Sequence, residues 1–278
     1  MSKIDRRLAS KNLFACARQV LDCTDPATKC ELTHLAVAAL KSGQLSPVSI
    51  DAPDPIGIPG RPQRPRLVPP RELPKRRLGS TLGRATLLHA LAHIEFNAIN
   101  LAWDAVYRFR EMPEPFYADW TSVAIEEAYH FRLLCERLGA LGYAYGDFDA
   151  HDGLWEMACR TAHDPLIRMA LVPRVLEARG LDVTPGIMQR LQNAGDEAAV
   201  EVLKIILHDE IGHVEIGTRW FRYLCAQRGV EPEDTFAGLL REYMKGQIKK
   251  PFHYRARQQA GFNDSEMNML EELAAGSR

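Results

Sequence analysis

Residues 200–224, VEVLKIILHDEIGHVEIGTRWFRYL, decide the fold. The stretch reads as a core helix, with Leu203, Ile206, Leu207, Val214, Phe221 and Leu224 recurring at helical spacing. Yet His208, Asp209, Glu210, His213 and Glu215 crowd into its middle. Charged groups are costly to bury unless they are paired or bound to a metal. At about 100° per residue, Glu210, His213, Gly217 and the six apolar residues fall within about 60° of one direction. His208 and Glu215 point the opposite way, and Asp209 lies on a flank. Two titratable groups therefore face the core and three face water.

Upstream, EEAYH at 126–130 repeats the pattern. Trp120, Val123, Ala124, Glu127, His130, Phe131, Leu134, Leu138 and Leu141 share one face, and Glu126 points away. In the preceding helix Glu95 sits among Leu88, Leu91, Ala92, Ile99, Ala102, Val106 and Phe109. His89 and His93 are turned about 120° or more from it. The remaining helix offers Glu177, flanked by Ala170, Pro173 and Leu181. Arg174 intrudes on that face, and Pro173 is expected to kink or bulge the helix within a turn of the glutamate.

Spacing adds an argument independent of burial. Glu95 and Glu127 are 32 residues apart, and Glu177 and Glu210 are 33 apart. The midpoint of each pair falls on a turn, EMPEPF at 111–116 and NAG at 193–195, so the two side chains of a pair sit at one height. The chain thus carries the arrangement E…ExxH twice. One carboxylate from each of two helices, with Glu-x-x-His from each of the other two, is the donor set of dinuclear carboxylate bundles. Carboxylates bridge and neutralise two cations while each imidazole donates a nitrogen, and the i, i+3 offset lets Glu and His converge on one ion. HDEIGH is H-x-E-x-x-H rather than HExxH. Its histidines, five residues apart, diverge by about 140°, which excludes a zincin-type pair.

Punctuation divides the chain. Residues 1–43 read as short helices. Residues 44–79 hold nine of the seventeen prolines, so they form neither a helix nor a central strand and are expected to be an extended strap. Long helices are expected over about 80–109, 118–141 and 164–179, with GLDVTPG (180–186) as a break or kink and a shorter helix to about 192. The fourth runs over 196–227, and a last helix and tail occupy 229–278. The fold class is all-α: a four-helix bundle over 80–228 with a long crossover, extra N-terminal helices and a proline-rich strap.

A formal net charge of −1 favours no polyanionic partner through the field of the whole molecule. No uncharged apolar run reaches the roughly 18 residues a membrane span needs. The N-terminal sequence lacks a secretory apolar core, so reduced thiols in a cytoplasm are expected for the six scattered cysteines. Cys16, Cys23 and Cys30 recur every seven residues, but no His or Cys completes a zinc spacing. Two basic runs, Arg61–Arg64–Arg66–Arg71–Lys75–Arg76–Arg77 and Lys249–Lys250–His253–Tyr254–Arg255–Arg257, suit either phosphate contact or solvated, internally paired charge.

These residues resemble the ferritin-like superfamily. HIEFNAINLAWDAVYRF, VPRVLEARGLDVTPG, HDEIGHVEIGTRWF and KKPFHYRARQQAGF are similar to a bacterial family of unassigned function, itself similar to the di-iron tRNA hydroxylase. The resemblance implies two metal ions, iron first and manganese or a mixed pair next, held by Glu95, Glu127, His130, Glu177, Glu210 and His213. It points to an oxygen-dependent oxidase or hydroxylase using dioxygen, but carries over no substrate; the basic runs leave a small-molecule or nucleotide/RNA substrate open, and an electron donor would be a separate protein. The alternatives are an iron-handling ferroxidase and a non-catalytic protein stapled by its metal pair.

Overall fold

Side-chain caps set the helix limits in the computed structural model, which describes residues 8, 10–48, 51–74 and 77–276. Among these residues there is no strand, only two isolated bridges, so the fold is all-α as the periodicity predicts. Two compact units divide the chain, one up to Glu156 and the other from Met157.

In the first unit, Asn12 caps α1 (Leu13–Asp22) and Asp25 caps α2 (Pro26–Lys41). The Ser80 hydroxyl accepts the Gly83 N–H at 3.1 Å and starts α3 (Thr81–Arg108). The next helix, α4 (Glu114–Ala140), begins four residues before the expected Ala118. Pro113 is its cap and Pro115 lies in its first turn, where a missing N–H leaves no bond unmade. EMPEPF therefore opens one helix as well as closing the other.

The α1–α2 hairpin packs on α3 and α4. Every residue of α3 from Glu95 to Tyr107 is buried, where the sequence suggests a single apolar stripe. The Trp103 indole donates to Thr33 Oγ1 at 3.0 Å. The fully buried Lys29 ammonium donates to Val20 O at 2.7 Å, Leu21 O at 3.3 Å and Asn100 Oδ1 at 2.7 Å, tying the end of α1 to α3. Burial lowers this amine to about 8. Between pH 8 and 10.5 the unfolded chain then holds a proton that the folded chain releases, so this group's contribution to stability rises with pH. Relative to Lys29→Met, the native protein should gain about 3 kcal/mol across that window, read from denaturant midpoints at each pH.

The proline-rich segment runs over the same unit in extended form. The Gly60 N–H donates to Leu21 O at 2.6 Å, the Trp155 indole to Gly57 O at 2.8 Å, and the Val68 N–H to Ala150 O at 2.8 Å.

After α5 (Gly153–Arg160), the second unit is built on one interrupted helix and one long one. Asp164 caps α6 (Pro165–Leu171) through the Leu166 N–H at 2.7 Å. A π-helical segment comes next at Val172–Glu177, and α7 (Ala178–Asn193) continues from it. The bulge expected at Pro173 is thus a π turn, which relieves the clash of the ring with the preceding turn of an α-helix. The break expected at GLDVTPG does not occur: α7 passes through Pro185. Ala178, Leu181, Thr184, Ile187 and Leu191 bury one face of α7, and that packing outweighs the roughly 3 kcal/mol a helical proline costs.

Asp196 caps α8 (Glu197–Arg228), which ends at Gly229 in the left-handed region, φ +63°. α7 and the π segment pack against α8. At Gly217 a Cβ would lie 2.3 Å from the Cβ and Cγ of Pro173, so only glycine lets α8 approach the outthrust proline ring. Three helices complete the unit, α9 (Pro232–Tyr243), α10 (Tyr254–Gln259) and α11 (Asp264–Ala275).

Candidate metal centre

In the first unit, α3 and α4 form a hairpin about the EMPEPF turn, and their mirrored positions bring Glu95, Glu127 and His130 together. All three are buried, and their ligating atoms lie within 4.8 Å of one another. His130 Nδ1 is 3.4 Å from Glu127 Oε2 and 3.8 Å from Glu95 Oε2. Burial works against the imidazolium, but the two carboxylates outweigh it and push His130 up to about 11. Two carboxylates and an imidazole are hard-to-borderline donors that suit a first-row divalent ion, which would replace that proton. The residues fit a metal.

The second unit holds a like pair on α8. Glu210 and His213 are buried, with His213 Nδ1 3.6 Å from Glu210 Oε1. His208 is exposed, and Asp209 and Glu215 are partly exposed, so the division of 208–217 into inward and outward groups agrees with the helical wheel. Glu126 is likewise only partly buried. Glu177 is half-buried at the last position of the π segment.

Sequence reasoning missed a second polar stripe on α3. His89, His93, Asn97, Asn100 and Asp104 are all buried, though their wheel positions place them away from Glu95. The Gly146 N–H donates to His89 Nε2 at 2.9 Å. Asn97 Nδ2 donates to His93 O at 3.0 Å and faces His93 Nε2 at 3.0 Å, while His93 Nδ1 shares a hydrogen bond with Tyr145 Oη at 2.8 Å. Asn100 meets Lys29, and Asp104 holds Arg108 at 2.6 Å. The signal was present in the spacing, a run of polar residues three or four apart. What it lacked was any indication of which later loop would cover that face.

Several cations of the basic runs are paired within the chain. Arg61 binds Asp152 at 2.9 Å and Arg66 binds Asp149 at 2.6 Å, while Lys75 and Arg76 lie outside the described residues. In the tail, Arg257 grips Asp182, Lys250 pairs with Glu271, and the His253 side chain caps α10 by accepting the Ala256 N–H. These contacts favour the internally paired reading. No disulfide joins any of the six cysteines, and Cys16, Cys23 and Cys30 do not converge as a metal-ligating trio. No helix among the described residues is long and apolar enough to cross a membrane.

An uncharacterized protein of Haemophilus influenzae is 50% identical over 219 residues, 76% of this chain and 76% of that protein. No solved structure matches the chain. A family model matches residues 22–268, and the chain belongs to the family described as "Protein of unknown function (DUF455)".

Proposed function

We propose that the chain is a dinuclear metal carboxylate protein with a ferritin-like fold, and that it works as an oxygen-dependent di-iron oxidase or hydroxylase. Its ligands are Glu95, Glu127 and His130 in the first unit and Glu177, Glu210 and His213 in the second. The observation that carries this reading is the buried Glu95–Glu127–His130 group, whose ligating atoms converge within 4.8 Å of one another. The buried Glu210–His213 pair, of the same composition and spacing, supports it. So does the mirrored placing of all four glutamates about two turns in the sequence.

A reduced iron pair supplies redox chemistry toward dioxygen, which side chains alone do not. The chain's own part is simpler. The carboxylates would neutralise the cations and the imidazoles of His130 and His213 would supply nitrogen donors. The sequence has no Gly-rich dinucleotide motif, so electrons come from a separate donor.

Metal analysis of anaerobically purified protein tests this, followed by absorption and Mössbauer spectra on exposure to oxygen. Two ions per chain and an oxygen-dependent spectral change are expected, and manganese in the analysis would move the metal assignment. An iron-loaded sample that oxygen leaves unchanged would sink the oxidase reading. Uptake far beyond two ions per chain would favour iron handling instead.

A further inference from the structure

Two buried ion pairs anchor the π turn and the helix that follows it, one from inside the turn at Arg174 and one from Asp182 beyond it. Upstream of Glu177, Arg174 Nη2 donates to Glu266 Oε1 of α11. Its guanidinium is enclosed by the rings of Phe221, Phe236 and Phe262, at 4.7, 4.0 and 4.6 Å from their centroids. Downstream, Asp182 of α7 accepts Nε and Nη2 of Arg257 of α10 at 2.9 and 2.7 Å, and also the His253 N–H at 2.9 Å. All four charged partners are 5% exposed or less. The Glu266 carboxylate serves twice, because Oε2 also accepts the Asn263 N–H at 3.1 Å and closes the capping box of α11.

Part of the π turn and of the two ion pairs faces open space rather than packed side chains. A cavity of about 130 Å³ lies against it, lined by Val175, Leu176, Met244, Ile248, Phe252 and Leu270 among others. A π turn carries one residue more than an α turn, so relaxing it to α geometry would rotate the downstream helix by about 100°. Glu177 is the last residue of that turn. A buried ion pair contributes little net stability compared with apolar side chains of the same volume, and its best-attested use is to fix register.

We propose that the C-terminal segment is a brace for the π turn. Through Arg174–Glu266 and Asp182–Arg257 it holds the wide register and so aims Glu177, which makes Arg174 and Asp182 positioning residues. The inference rests on the reading of Glu177 as a ligand. A register lock explains why two ion pairs, each costly to desolvate, sit within and just after one irregular turn. It also explains why Arg174 appears on the inward face of a helix whose other members are apolar or ligating.

The test compares the full-length native chain with Arg174→Met/Glu266→Leu, whose side chains match the pair in volume and carry no charge, and with Glu177→Gln. Anaerobic Fe(II) titration gives stoichiometry and affinity. Thermal melting gives stability. Hydrogen exchange of the metal-free proteins reads the amides of 172–178. The expected result is a double variant that melts nearer to the native protein than Glu266→Ala does, exchanges faster at 172–178, and binds one of its two ions at least about tenfold more weakly, as Glu177→Gln does. A structural role alone would move the melting point and leave the two affinities in step. Native affinities for both ions together with native exchange at 172–178 would overturn the brace. If the native chain binds no metal, the dimetal reading fails, and exchange of the metal-free proteins still decides the brace. Should the double variant not fold, Arg257→Lys, which keeps the charge but not the two-pronged grip on Asp182, takes its place with the same readouts.

Discussion

Replacing Glu127 by glutamine is expected to weaken metal binding by more than about 100-fold, because outer partners of metal ligands are already worth 10–100-fold and Glu127 is assigned to the metal itself. The metal-free variant should be at least as stable as the metal-free native protein. Glu127 is fully buried within reach of a second carboxylate, Glu95, and removing one negative charge from such a site relieves desolvation cost. The two effects separate cleanly in a melt with and without Fe(II): the metal-dependent rise in melting temperature should vanish while the metal-free value holds or rises. His208→Ala, on the exposed face of α8, is the control and should bind as the native chain does. If it were His208→Ala that lost metal and Glu127→Gln that kept it, the inward assignment would be wrong.

The largest loss of stability is expected from Glu266→Ala. This change leaves the Arg174 guanidinium fully buried with no carboxylate against it and opens the capping box of α11. Removing one partner of a buried pair costs about 3–5 kcal/mol. For a chain of this size that is about 6–10 °C in melting temperature. Breaking the exposed Lys204–Glu201 pair by Glu201→Ala should change the melting temperature by roughly 2 °C or less, since such pairs are worth at most about 1 kcal/mol. Equal losses from the two variants would mean that the buried pair is not the anchor its geometry implies.

Much of the site was legible because helices report their faces in sequence. Glu210 and His213 lie on the buried side of α8 and His208 on the exposed side, as 3.6-residue periodicity requires. Helix starts were readable where a Ser or Asp cap stood before them, at Ser80, Asp164 and Asp196. Proline misled twice. At Pro115 it opened a helix, because the first turn needs no N–H there, and at Pro185 a buried face carried α7 through a proline that local preference would use as a stop. At Pro173 the disturbance was legible but its form was not. The π turn depends on Gly217 forty-four residues later, which gives the proline ring somewhere to go. The burial of His89 and His93 was illegible for the same reason. Tyr145 and Gly146, which meet them, belong to a loop whose course no helical wheel contains.

The burial of every residue of α3 from Glu95 to Tyr107 has a consequence in time rather than in energy. A backbone amide exchanges its hydrogen only when some opening admits water, and an exposed helix face allows that by local fraying. No such face exists along these thirteen residues. Their amides should exchange only when the whole first unit opens, which would make them the slowest clock in that half of the chain. Glu95 rides on that stretch, so one of the proposed ligands would keep its place through every fluctuation short of global unfolding.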